Sequence, residues 1–196
     1  MNCKIIVIAC NTATTNAIQE IRNSFPIPVI GIEPAIKPAL LNTKTNKIGI
    51  LATEMTLTSS LFNQTSNKFS DNIEIIEQIG FGLVNLIEKG DINTKKTKQL
   101  LKSYLDPMLD SNIDQLVLGC THYHFLVPII RQIIPKEITI QDPNKVIAKQ
   151  IKKILNRENL ENPLKNSYKN KVYVNGNTEI IKNIINSKGD VDFLDF

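Results

Sequence analysis

Short apolar runs of strand length alternate with amphipathic stretches of helical length from one end of this sequence to the other, and that alternation restricts the fold more than any other feature. Lys4 to Ala9 (KIIVIA), Pro28 to Ile32, Lys47 to Ala52 (KIGILA), Ile73 to Glu77, Leu116 to Leu118, Ile138 to Gln141, Lys171 to Val174 and Val191 to Leu194 read as strands. Between the first two, Ala13, Ala17, Ile18 and Ile21 recur at helical spacing over Thr12 to Ser24, with Asn11 or Thr12 as the cap and Pro26 as the stop. Glu33-Pro34 opens a second helix, and Thr53, Thr56 and Thr58 precede one that runs to about Phe69. Further helices are expected over Gly82 to Lys89 (closed by Gly90), Thr94 to Leu109, the stretch after Cys120 as far as Pro135, Pro143 to about Arg157, and Thr178 to Ser187 with Gly189 beyond it. Glu158 to Asn170, polar and rich in asparagine, is the best linker. Strands separated by helices pair through crossovers, so the expectation is an α/β fold with mainly parallel sheets, two sheets rather than one.

Two strand-to-helix turns carry a cysteine. QLVLGCTHYHFL, Gln115 to Leu126, delivers Cys120, Thr121 and His122 after an apolar run; KIIVIA delivers Cys10, Asn11 and Thr12 in the same way. In open α/β sheets this is where ligands sit, because the carboxyl end of a strand meets the amino end of a helix. A thiol there faces unpaired N–H groups and the positive end of the helix dipole, both of which favour thiolate. A single buried cysteine is most often a small hydrophobe. A matched pair suggests two similar halves facing each other.

Composition excludes more than it selects. In 196 residues, 42% hydrophobic and 21% charged, there is enough apolar material for a core in one large or two small domains. The net charge is +4, but Lys95, Lys96 and Lys98, and Lys149, Lys152 and Lys153, fit the outer faces of helices without interleaved aromatics, which argues against nucleic-acid binding. The apolar runs are too short to cross a membrane, and Met1-Asn2-Cys3-Lys4 running into a strand is no secretory signal, so a cytoplasmic location is expected. Three cysteines are an odd count for a disulfide framework.

Paired thiols could attack an electrophile, bind a metal or move protons. His122 could serve Cys120 as the base of a nucleophile, but that leaves Cys10 without a task. Cys10, Cys120, His122 and His124 could assemble a zinc site, although Cys-x-His-x-His departs from the usual ligand spacings. Two acid/base thiols on opposite faces of one carbon would use both cysteines with neither cofactor nor metal, and suit stereochemical inversion. Asn11, Thr12 and Thr121 could bind substrate or serve only as helix caps; Thr53 and Thr56 present the same choice; Glu33 and Glu88 could equally be solvated carboxylates. Cys3 is expected to be inert.

IACNTAT at Ile8 to Thr14 and LGCTHYHFL at Leu118 to Leu126 resemble the two active-site signatures of the glutamate racemase branch of the aspartate/glutamate racemase superfamily. Similarity continues through VIGIEPAIKPAL, KIGILATEMT and QDPNKVIA. The resemblance implies two Rossmann-like (flavodoxin-like) halves, cofactor-independent interconversion of L- and D-glutamate, and supply of D-glutamate for peptidoglycan. Carried over by position, Cys10 would act on the D-enantiomer and Cys120 on the L-enantiomer. His122 would assist Cys120, and Asn11, Thr12, Thr121 and His122 would hold the substrate's amino and carboxylate groups. The family resemblance also suggests a homodimer.

Departures from the family pattern matter as much. Family members begin with a strand ending in Asp-Ser-Gly and later carry a Tyr-Gly turn, both before the first cysteine; neither is present here. The expected division is therefore residues 1–32 as an N-terminally truncated first α/β domain, 33–141 as a second α/β domain and 142–196 as the return to the first. Such a chain would present an open sheet edge and either pair with the missing segment or remain a catalytically inactive remnant that retains glutamate binding or a protein-interaction role. His124 stands where family members usually have proline, Ile79 to Glu88 lacks their Cys-Pro, and the Glu158 to Asn170 stretch matches loosely.

Overall fold

A computed structural model describes residues 3–69, 72–162, 170–185 and 190–195. In chain order the elements are β1 (Ile6–Ile8), α1 (Asn11–Ser24), β2 (Val29–Gly31), α2 (Ile36–Asn42), β3 (Lys47–Ala52), α3 (Glu54–Leu57), α4 (Ser60–Phe69), β4 (Glu74–Ile79), α5 (Leu83–Glu88) and α6 (Lys95–Asp110). They continue with β5 (Gln115–Gly119), a 3-10 helix (Thr121–Leu126), α7 (Val127–Ile133), β6 (Thr139–Gln141), α8 (Asn144–Arg157), β7 (Lys171–Val174), α9 (Thr178–Ile184) and β8 (Asp190–Phe193).

The centre is a four-stranded sheet in the order β4-β3-β5-β6, parallel throughout. Its two inner strands are covered on both faces, which is why KIGILA and QLVLG read as continuous apolar runs rather than as alternating ones. Successive side chains leave β5 on opposite faces: Leu116 and Leu118 pack with Leu51, Leu83, Ile87, Leu101, Leu105 and Met108. Val117 goes the other way, to Ile48, Ile50, Ile36, Leu40 and Phe62. At the amino end of β5, Asp114 fastens this sheet to the loop after α2. Its carboxylate accepts Thr43 Oγ1 at 2.6 Å and the Lys44 and Thr45 N–H groups.

The remaining strands form two separate parallel pairs, β1–β2 and β7–β8, so that three sheets rather than two are present among the described residues. Local chemistry explains other differences. Cys10 itself, not Asn11 or Thr12, caps α1, its sulfur accepting the Ala13 N–H at 3.4 Å. The expected helix running to about Phe69 is α4, started where Ser59 Oγ accepts the Phe62 N–H, and the threonine stretch before it forms the short α3, which was not expected. After Cys120 the chain first winds as a 3-10 helix, because Pro128, in the first turn of α7, has no N–H to give to the turn before it. Residues 163–169 of the expected linker, and the expected helix end at Ser187 and Gly189, lie outside the described residues.

Candidate active site

Close strand packing builds the Cys120 turn. A Cβ on Gly119 would run into Ala52 of β3, so only glycine lets β5 end this near its neighbour. The next turn is pinned by Tyr123, fully buried, whose hydroxyl donates to the Gly80 carbonyl at the end of β4 at 3.1 Å. Gly80 has no room for a side chain either, since its Cβ would meet that hydroxyl. Cys120 is consequently held in place and 8% exposed. Burial pushes its thiol above the usual range and outweighs the pull of the His122 and Tyr123 N–H groups on the sulfur; the nearby Cys10 pushes in the same direction as burial.

His122 is engaged at both ring nitrogens. Nδ1 lies 3.9 Å from Cys120 Sγ, and Nε2 lies 3.3 Å from Glu88 Oε1 at the end of α5. With a carboxylate at Nε2, the favoured tautomer carries its proton there and turns the Nδ1 lone pair toward the thiol. The result is a Cys120–His122–Glu88 line able to take a proton from the sulfur and return it. Glu88, which the sequence left undecided between a site residue and a solvated carboxylate, is the residue that sequence reasoning undervalued. Its signals were an acidic residue near the end of a helix before Gly90 and a match to an acidic position in similar sequences.

At the other turn, Cys10 is exposed at the head of α1. Asn11 behind it is 2% exposed, yet neither its amide nitrogen nor its amide oxygen has a partner. An unpaired buried amide is costly, and a ligand carrying both a donor and an acceptor would satisfy it. Thr12 enters a triangle of hydroxyls with Thr53 and Thr56: Thr12–Thr53 2.8 Å, Thr12–Thr56 3.0 Å and Thr53–Thr56 2.8 Å. Asn16 Nδ2 reinforces the same junction through the Met55 carbonyl. Thr121 is partly buried at the first position of the 3-10 helix, beside Cys120.

Thus Cys10, Asn11 and Thr12 come together on one turn, Cys120, Thr121 and His122 on the other, and the two sulfurs are near enough for one to shift the titration of the other. Glu33 is exposed and lines a surface cleft with Pro34, Lys37 and Leu61, none of them a candidate residue. His124 is partly buried, its Nε2 unpaired; burial lowers its pKa against the opposing influence of Asp142. Cys3 is exposed. Among the described residues no group of three or more His, Cys, Asp or Glu side chains is arranged to hold a metal ion.

Two cysteine-bearing turns, each at the carboxyl end of a parallel strand, place the molecule among α/β proteins with a thiol at the strand-to-helix turn. The profile of the Asp/Glu/Hydantoin racemase family matches residues 1–151, and the chain belongs to that family. It is 44% identical over 153 residues to a glutamate racemase of Ralstonia pickettii, a match covering 78% of this chain and 54% of the relative. It is 40% identical over 158 residues to one of Pseudomonas syringae pv. tomato, covering 80% and 58%. The chain therefore spans a little over half the length of these relatives. Among solved structures, Escherichia coli glutamate racemase in complex with L-glutamate and the activator UDP-MurNAc-ala superposes with a TM-score of 0.85 at 28% identity, over 98% of this chain and 74% of that one. Francisella tularensis glutamate racemase in complex with D-glutamate gives 0.80 at 27%, over 98% and 73%. These neighbours share the two-half Rossmann-like fold.

Proposed function

We propose that the protein interconverts L- and D-glutamate without a cofactor, by proton transfer between Cα and two thiols, and so supplies D-glutamate for peptidoglycan in the cytoplasm. The observation that carries this reading is the Cys120–His122–Glu88 line within electrostatic reach of Cys10. The glutamate seen in the Escherichia coli and Francisella tularensis relatives supports the substrate.

Starting from D-glutamate, the Cys10 thiolate removes the α-proton: an S–H bond forms, the Cα–H bond breaks, and its electron pair spreads toward the α-carboxyl group. Cys120 then gives its proton to the opposite face of Cα and becomes thiolate. Return of a proton from Cys10 through solvent to Cys120 resets the site. From L-glutamate the roles reverse, with Nδ1 of His122 drawing the proton off Cys120 before the thiolate acts. Asn11, Thr12 and Thr121 hold the amino and carboxylate groups, and the buried amide of Asn11 strengthens its hold as charge develops on the carboxyl group. Glu88 positions His122.

Incubating the protein with each enantiomer in deuterated water and following label at Cα by mass spectrometry tests the reading. Label entering both enantiomers is expected. A folded protein that labels neither is not a racemase.

A further inference from the structure

Helix α5 carries Glu88 but has little of its own to hold it in place. At 6 residues it is well short of the roughly 12–15 at which a helix becomes stable alone. Gly82, its N-cap, lies in the left-handed region at φ 76° and offers no side chain to cap it. Leu83, Leu86 and Ile87 seat α5 on the core, but apolar contact is not directional and does not fix a helix along its axis. Nor does burial fix the pair that α5 helps to form, since the Glu88 side chain is 59% exposed and that of His122 39%. At 3.3 Å the contact between His122 Nε2 and Glu88 Oε1 is already long, so a slip of about 1 Å would break it.

Two hydroxyls of α6 hold α5 at its opposite ends. Tyr104 Oη donates to the Phe81 carbonyl before the helix at 2.9 Å, and Thr97 Oγ1 donates to the Asp91 carbonyl after it at 2.5 Å. Thr97 and Tyr104 stand about two turns apart on α6, so the one helix reaches both ends of the shorter one. The hold at Asp91 is carried back into α5. Gly90 turns the chain at φ 79°, and the Gly90 and Asp91 N–H groups donate to the Ile87 and Leu86 carbonyls on either side of Glu88's turn. Burial pushes the Tyr104 phenol above its usual range, so it remains a donor throughout the neutral range. We propose that Tyr104 and Thr97 are positioning residues, which act through α5 to set the distance between Glu88 and His122. Hydroxyl-to-carbonyl bonds are directional, and one at each end resists the sliding that apolar contacts allow. The catalytic meaning of this hold rests on the proposed function, in which His122 draws the proton from Cys120; its effect on the His122 ring does not.

Nitrogen NMR of the histidine rings in the full chain, which has 2 histidines, tests this without substrate. The ring shifts report which nitrogen carries the proton, and Glu88→Gln assigns His122 as the histidine that responds. Tyr104→Phe and Thr97→Val together should displace the His122 signals by about half or more of the Glu88→Gln displacement, and add less than about a tenth of it when Glu88 is already replaced. Unmoved signals in the folded double variant would overturn the proposal. So would an equal displacement with and without Glu88, which would make the two hydroxyls structural only, or a chain in which neither histidine responds to Glu88→Gln. Thr97→Ser keeps the hydroxyl and should match the parent. If the double variant fails to fold, Tyr104→Phe alone, at a partly buried site, should displace the signals in the same direction; no displacement would remove Tyr104 from the hold. In turnover, label exchange from L-glutamate should fall about 3- to 10-fold in the double variant. Absent turnover in a protein whose ring signals move as expected would count against the racemase reading alone.

Discussion

His122 is gripped from two sides, by a sulfur at Nδ1 and a carboxylate at Nε2, and this sets what a substitution at Glu88 should do. Glu88→Gln keeps a hydrogen-bonding group at Nε2 but removes the charge that steadies an imidazolium. On the proposed mechanism, label exchange from L-glutamate is expected to fall about 10- to 100-fold, with a smaller loss from D-glutamate, whose proton would go to Cys10. Equal losses for both enantiomers would show that Glu88 acts on the whole site and not through His122. Cysteines are few and both motifs sit at strand ends, so Cys10, Cys120 and His122 were legible. Glu88 was not, because a carboxylate followed by Lys89 on a short helix looks solvated until another element brings a histidine to it. Asn11 was legible as a polar group at a turn, but its lack of any partner is a property of burial that one-dimensional pattern does not carry.

At the level of elements, the contact between Gly80 and Tyr123 matters most, since it couples the end of β4 to the turn bearing Cys120. Gly80→Ala forces the Tyr123 hydroxyl off the Gly80 carbonyl, and a loss of about 1–3 kcal/mol in urea unfolding is expected. Asp114 governs acid behaviour at the opposite end of β5. Burial alone would raise its carboxyl, but the Thr43 hydroxyl and the Lys44 and Thr45 N–H groups prevail and hold it below the usual range. A carboxyl with a lowered folded-state pKa contributes stability above the ordinary carboxylate range and loses it as pH falls through the folded value. Asp114→Ala should therefore cost about 1–2 kcal/mol at pH 7, and the gap from the parent should close in strong acid; a pH-independent gap would count against the assignment. Strand β3 lies within the bounds that its apolar run predicts, because a buried parallel strand leaves a continuous signature; β7 keeps its expected bounds as well, although its residues alternate between exposed and partly buried. The 3-10 winding after Cys120 and the split between α3 and α4 depend on which hydrogen bonds each turn can close, and periodicity does not distinguish them.

Across the whole molecule, the same chemical change should have unlike costs in different regions. Leu101→Ala, at a fully buried site against the central sheet, is expected to destabilise by about 2–5 kcal/mol, and Ile151→Ala on α8 by less than about 1 kcal/mol in the chain alone, both by urea titration. Comparable costs would mean that α8 is already packed. The parallel α/β class was readable from alternation. The separation of the outer strands into two pairs was not, because sheet membership depends on which strands become neighbours in space. What joins the Cys10 turn to the central sheet is also a whole-molecule matter. Thr12, Thr53 and Thr56 close a ring in which each hydroxyl can give one proton and take one, so the catch uses no titrating group. Unlike an ion pair, it keeps its strength in concentrated salt and across the neutral pH range. A carboxylate, which accepts from two hydroxyls at once, would compete with these mutual bonds. On the proposed function, seating of an acidic substrate there and loosening of the Thr12–Thr53–Thr56 seam would be one event.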